Sequence, residues 1–162
     1  MRRSLVVLLL TAGPAVDAAE RNGLVLQDGA ARAELVVQDS GLSVALTVGR
    51  KSGSWKYDGL TLDPEETGAP AAAYTKAGGT HLLVVRAYSG GARCCWSLLA
   101  FDVARAKALG SVLESQSPIA LVKGRKECAI AAIAEPVDRE RGLPSQRRLH
   151  CFDGRRFRPR GS

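Results

Sequence analysis

Residues 80–103 read THLLVVRAYSGGARCCWSLLAFDV, and this stretch decides the fold. Leu82, Leu83, Val84 and Val85 are unbroken apolar, as are Leu98, Leu99, Ala100 and Phe101. Runs of this length, bounded by glycine and polar residues, read as buried strands. Between them Ser89-Gly90-Gly91-Ala92 is a turn-grade cluster, because glycine reaches backbone angles closed to other residues. The segment predicts a central hairpin, with adjacent cysteines, Cys94 and Cys95, and then Trp96 opening its second strand.

Toward the N-terminus, Leu24–Gln27 and Ala33–Val37 flank Asp28-Gly29, a hairpin signal. Ser40-Gly41 breaks the chain again before 42–48, where Leu42, Val44, Leu46 and Val48 alternate with Ser43, Ala45 and Thr47. That alternation predicts a half-buried strand. Gly49–Ser54 reads as a basic, flexible loop, and Trp55, Tyr57, Leu60 and Leu62 as a short strand pair around Asp58-Gly59. Pro64, Gly68 and Pro70 predict a loop over 63–73. Asp63, Glu65 and Glu66 within it lack the alternating oxygen ligands of a calcium loop, so they read as a solvated acidic stretch.

Toward the C-terminus, Ala104–Gly110 is a charged connector with room for one helical turn. Strands are expected at 111–114, at 119–122, at 128–134 before Glu135-Pro136, and at 148–152 before the turn Asp153-Gly154. The polar run 138–146 reads as a loop. Heptads are absent and Asp-Gly turns recur between short strands. The class is mainly β: an antiparallel meander of hairpins, as in a propeller blade or a small sandwich.

The first residues bear on compartment. Arg2 and Arg3 precede an apolar run from Leu5 to Ala12, and small residues follow at Ala15–Ala19. Charge, a hydrophobic run too short to span a bilayer and a small-residue cleavage site are the layout of a secretory signal peptide. The expected organisation is a signal peptide at 1–19, cut after Ala18 or Ala19, and one β-rich domain at 20–162, secreted or periplasmic. Without 1–19 the 23 bases become 21 and the 16 acids 15, a net charge of +6. No later stretch reaches transmembrane length.

Export predicts that the four cysteines are oxidised into disulfide staples. Pairing 128–134 with 147–152 so that Ala134 faces Arg147 brings Cys128 within a couple of residues of Cys151, which favours a Cys128–Cys151 bridge. Cys94 and Cys95 then remain as a vicinal pair, strained because successive strand residues point to opposite faces. The competing scheme joins Cys94 and Cys95 separately to Cys128 and Cys151, and both stay open.

Tyr88-Ser89-Gly90-Gly91-Ala92-Arg93-Cys94-Cys95-Trp96 resembles a motif of uncharacterised secreted or periplasmic bacterial proteins, some with FG-GAP or integrin-like β-propeller repeats. Their pattern is Ser-Gly-Gly-Ala, a histidine, two cysteines and an aromatic. Arg93 stands here in the histidine's place, and no Asp-x-Asp-Gly-Asp-Gly calcium loop is present. The resemblance covers roughly 82–101, with Phe152-Asp153-Gly154 in weak support; it implies a fold type and export, and no activity.

Catalytic motifs are missing: no Gly-x-Ser-x-Gly elbow, no His-Glu-x-x-His helix and no phosphate-binding glycine loop. His81 reads as a strand-edge residue and His150 as a surface strand residue. No catalytic residue, metal site or cofactor is therefore expected. Binding has two sequence supports. The first is the arginine-rich C-terminal part, with Arg148, Arg155, Arg156 and Arg158 foremost and Arg139, Arg141, Arg147 and Arg160 beside them. The second is Tyr88, Arg93 and Trp96, where an aromatic patch beside a cysteine ring would suit sugar stacking. The expected function is a non-catalytic binding or envelope-associated module for an anionic envelope component or an acidic protein, with nucleic acid excluded by export. The alternatives are a secreted inhibitor or partner of another extracellular protein, using 89–93, and a redox-active protein built on Cys94 and Cys95.

Overall fold

The computed structural model describes residues 23–63, 70–77, 79–90, 95–122, 130–134 and 147–159, and every element among them is a strand. The first sheet is β1 (Gly23–Asp28), β2 (Ala31–Gln38), β3 (Gly41–Val48) and β4 (Lys51–Asp58), paired in chain order. The second joins β5 (Thr61–Leu62), β6 (Ala72–Ala77), β7 (Thr80–Tyr88), β8 (Trp96–Asp102) and β9 (Lys107–Ser115). The third is β10 (Ile119–Val122), β11 (Ile130–Ala134), β12 (Arg147–Phe152) and β13 (Phe157–Pro159). All pairings are antiparallel. The protein is thus mainly β, as the turn signals implied.

The unbroken apolar runs of β7 and β8 now have a cause. Leu83, Val85, Ala87, Leu99 and Phe101 pack against Leu35, Leu42, Val44 and Leu46 of the first sheet. Leu82, Val84, Leu98 and Ala100 share a second core with Ile119, Phe152 and Phe157 of the third. The second sheet is therefore the filling between two others, and both faces of its central strands must be apolar. β3 covers only one face, so its sequence alternates. Burying each Leu or Val contributes about 1.5–3 kcal/mol, which makes β7 and β8 the largest single source of burial.

Four sequence expectations need correction. Lys51–Ser54 is strand: β4 runs the full length of β3, and Gly53 is required there because a methyl group would collide with the Trp55 indole. That indole turns inward onto Phe101, ring centres 5.0 Å apart. Thr61-Leu62 pairs with β7 across the next sheet rather than folding back on β4. β9 begins at Lys107, four residues ahead of expectation, because bulges around Ala100–Gly110 interrupt its alternation. His150 is buried instead of exposed, since it shares the inward face of β12 with Phe152. The Ala134–Arg147 register is as expected.

Asp63 is the other surprise. β5 and β6 lie along the same edge of β7, and the chain leaves that edge between them. Both ends of the break are fastened to Arg86: the Asp63 N–H donates to its carbonyl at 3.1 Å, and its own N–H donates to the Ala71 carbonyl at 2.7 Å. The Arg86 Nη2 also sits 2.7 Å from Asp63 Oδ2, both side chains 1 % exposed. The pair is close in distance without being aligned as a hydrogen bond. Asp63 is thus part of the interior, not of a solvated acidic loop; Glu65 and Glu66 lie outside the described residues.

Removing one member of such a pair takes the counter-ion from a buried charge. Asp63→Ala is expected to lower unfolding stability by about 3–5 kcal/mol in urea titration, whereas Asp63→Leu with Arg86→Met, which removes both charges, should cost far less. Equal losses in the two proteins would show that packing, and not charge, sets the cost.

Candidate functional site

The sequence-derived candidates separate into two places. Tyr88 ends β7 and Trp96 begins β8, directly opposite in register. Their rings lie 4.9 Å apart, tilted by 38°, and both are half-buried. Trp96 packs against the second core on one side, so it is anchor and surface at once. Beyond them the Ser89 N–H donates to the Cys95 carbonyl (3.1 Å) and the Cys95 N–H to the Ser89 Oγ (3.0 Å), closing the base of the connection. Arg93 and Cys94 lie outside the described residues. Cys95 and Cys151 carry no free thiol; Cys128 also lies outside.

The basic candidates belong to the third sheet. Arg148 is on β12 opposite Ile133, and Arg147 is opposite Ala134. Arg139, Arg141 and Arg160 are outside the described residues. Arg155 and Arg156 form the β12–β13 turn, and Arg158 is in β13. Asp153 organises this turn. Its Oδ1 accepts the backbone N–H groups of Arg155 and Arg156, each at 3.0 Å, and its Oδ2 accepts the Nε–H of Arg158. Those three donors, the Arg156 amide foremost, then the Arg155 amide and the Arg158 guanidinium, hold the Asp153 carboxyl well below the usual carboxylate range. The side chains of Arg155 and Arg156 are left exposed.

The two places sit at different ends of the strands. Trp96 is paired with Ser115 at the end of β9, and β10 starts four residues later at Ile119. The register of β10, β11 and β12 carries the 153–156 turn to the end of the third sheet away from Ile119. The structure therefore does not bring the aromatic pair and the arginine turn together.

It does bring other turns together that sequence reading passed over. The β3–β4 turn meets the β8–β9 turn, where the Lys51 Nζ donates to the Ala104 carbonyl at 2.9 Å. At the same end, the Asp28 Oδ2 of the first sheet lies 2.9 Å from the His81 Nε2 of β7. His81 is thus an interior-strand residue bridging two sheets, and its ring stands 5.7 Å from that of Tyr74. Burial, and secondarily the Asp28 charge, pushes the Tyr74 phenol up. Asp102 caps the β8–β9 turn, accepting the Arg105 N–H at 3.1 Å and its Nη1–H at 3.0 Å. Only the Asp-Gly dipeptides among these turns carried a local signal; the rest depend on contacts between distant segments.

Among the described residues no three His, Cys, Asp or Glu side chains are grouped so as to hold a metal ion, and no helix is long and apolar enough to cross a membrane. Comparison with protein-family models, with curated proteins and with solved structures gives no match.

The depressed Asp153 carboxyl gives a pH test with a definite sign. A folded-state value below the unfolded one contributes stability that is present above the unfolded value and lost as pH falls through the folded value. The Arg155 and Arg156 amide resonances should therefore stay in place across the range near pH 4 where a free aspartate titrates, and shift only at more acidic pH. Movement centred at about 3.9 would show that the carboxylate is not held.

Proposed function

We propose that this protein is an exported, non-catalytic binding or envelope-associated module that engages an anionic envelope component through its basic C-terminal hairpin. The observation that carries this reading is the β12–β13 turn. One carboxylate is used to fix the backbone, and the side chains of Arg155 and Arg156 project from a framework already ordered. With the backbone already ordered, only the two side chains lose freedom when an anion arrives, so more of the attraction remains as affinity. The charge, residue layout and cysteine content of the sequence support secretion, with a signal peptide at 1–19.

Two four-stranded meanders packed on either face of a five-stranded antiparallel sheet support a propeller-blade-like reading of the architecture. We read the cysteines as staples for it. The register that sets Ile130 opposite Cys151 is in keeping with a Cys128–Cys151 bridge, as Cys128 is two residues before Ile130 in the chain.

The test is a pull-down on isolated anionic cell-envelope material. Arg155→Glu with Arg156→Glu should release the protein, while Tyr88→Ala should leave it bound. Retention of the charge-reversed protein would remove the arginine turn from the function. Loss with Tyr88→Ala would instead favour an inhibitor or partner acting through residues 89–93.

A further inference from the structure

The basic turn is one part of a larger feature. The β3–β4 turn carries Arg50 and Lys51, and the β8–β9 turn carries Arg105 and Lys107. All four side chains are exposed, and the Lys51–Ala104 hydrogen bond holds these turns side by side. The third sheet packs its Phe152 and Phe157, which flank the 153–156 turn, into the core that also contains Ala77 and Leu82 at this end of the second sheet. Exposed Lys76, on β6 opposite His81, adds a further cation. Successive sheets stand about 10 Å apart, so these turns spread cations over a face about 20 Å across.

Among the described residues, the acids at this end are occupied. Asp28 is against His81, Asp102 caps its own turn and binds Arg105, and Asp153 fixes the last turn and binds Arg158. At the opposite end of the first two sheets the exposed charges among the described residues are Asp39, Asp58 and Glu114, with Lys56 paired to Asp58. Among the described residues, the first two sheets are electrically polar along their strands.

We propose that this end face is a docking surface for an anionic lipid bilayer, one turn from each of the three sheets meeting the headgroups together. This rests on the binding-module reading and names its partner. Cations on turn tips from separate sheets match an extended surface better than a single small anion. The large apolar side chains that stand exposed among the described residues are Val25 and Leu149, both in mid-strand and away from these turns. Attachment would therefore be electrostatic, without a side chain wedged into the acyl layer, and strongly weakened by salt.

The experiment is co-sedimentation of the exported form with vesicles of equal phosphatidylglycerol and phosphatidylcholine, and with phosphatidylcholine alone. Two double variants avoid the cations that hold turns together: Arg50→Gln with Lys107→Gln, and Arg155→Gln with Arg156→Gln. The wild type should pellet only with the anionic vesicles and be released by raised salt, a result that needs no variant. Each double variant should then partition about 30-fold more weakly, since each cation near an anionic surface contributes roughly fivefold. An effect confined to Arg155 and Arg156 would overturn the three-sheet face while leaving the C-terminal hairpin reading intact. Failure of the wild type to pellet, or equal pelleting with phosphatidylcholine, would overturn the membrane surface as partner. The envelope pull-down then shows separately whether the binding-module reading survives through another anionic component.

Discussion

Burial of β7 and β8 on both faces is the constraint from which the rest of the architecture follows. A sheet with two apolar faces needs a cover on each, and the flanking meanders provide one apiece. That arrangement makes the outer sheets one-sided, which is why β2 and β3 alternate and why polar side chains fill the outward positions of β4. It also makes the middle sheet intolerant of polar groups. Among its buried polar residues is the Asp63–Arg86 pair, which sits where the edge of β7 is shared between two strands. There Arg86 holds the chain on both sides of the break, by its backbone and by its charge.

Much of this was legible in the sequence, for physical reasons that can be named. Period-two alternation in 42–48 and continuous apolar runs at 82–85 and 98–101 report how many faces of a strand are covered. Asp28-Gly29 and Asp153-Gly154 mark turns through glycine's tolerance of positive φ, observed at both. What failed to show was whatever depends on a partner far along the chain. Lys51–Ser54 carries no apolar residue, yet β3 supplies a complete ladder of partners and Trp55 supplies the cover over Gly53. Asp63 reads as part of an acidic loop until Arg86, placed beside it by the sheet, gives it a counter-ion. Gly110, at φ 85°, breaks the alternation that would have announced β9.

The candidate site was legible in part for the same reason. Tyr88 and Trp96 are separated by seven intervening residues, and the hairpin pairing follows from the flanking runs alone. Arg155 and Arg156 are adjacent and announce themselves. Arg50, Lys51, Arg105 and Lys107 look like ordinary loop charges, because their common location follows from the stacking of sheets.

That stacking also explains how basic turns far apart in the sequence come to share one face. Antiparallel meanders send alternate turns to opposite ends, so any bias in turn composition is sorted spatially by the fold. Aspartate is favoured in tight turns because its carboxylate accepts nearby backbone N–H groups. At this end Asp102 and Asp153 do so, and each is also held against a nearby arginine, Arg105 of the same turn and Arg158 of β13. Their charges are thus held against backbone N–H groups, while the side chains of Arg50, Lys107, Arg155 and Arg156 stay exposed. The carboxylates keep the turns in the shape that presents those cations.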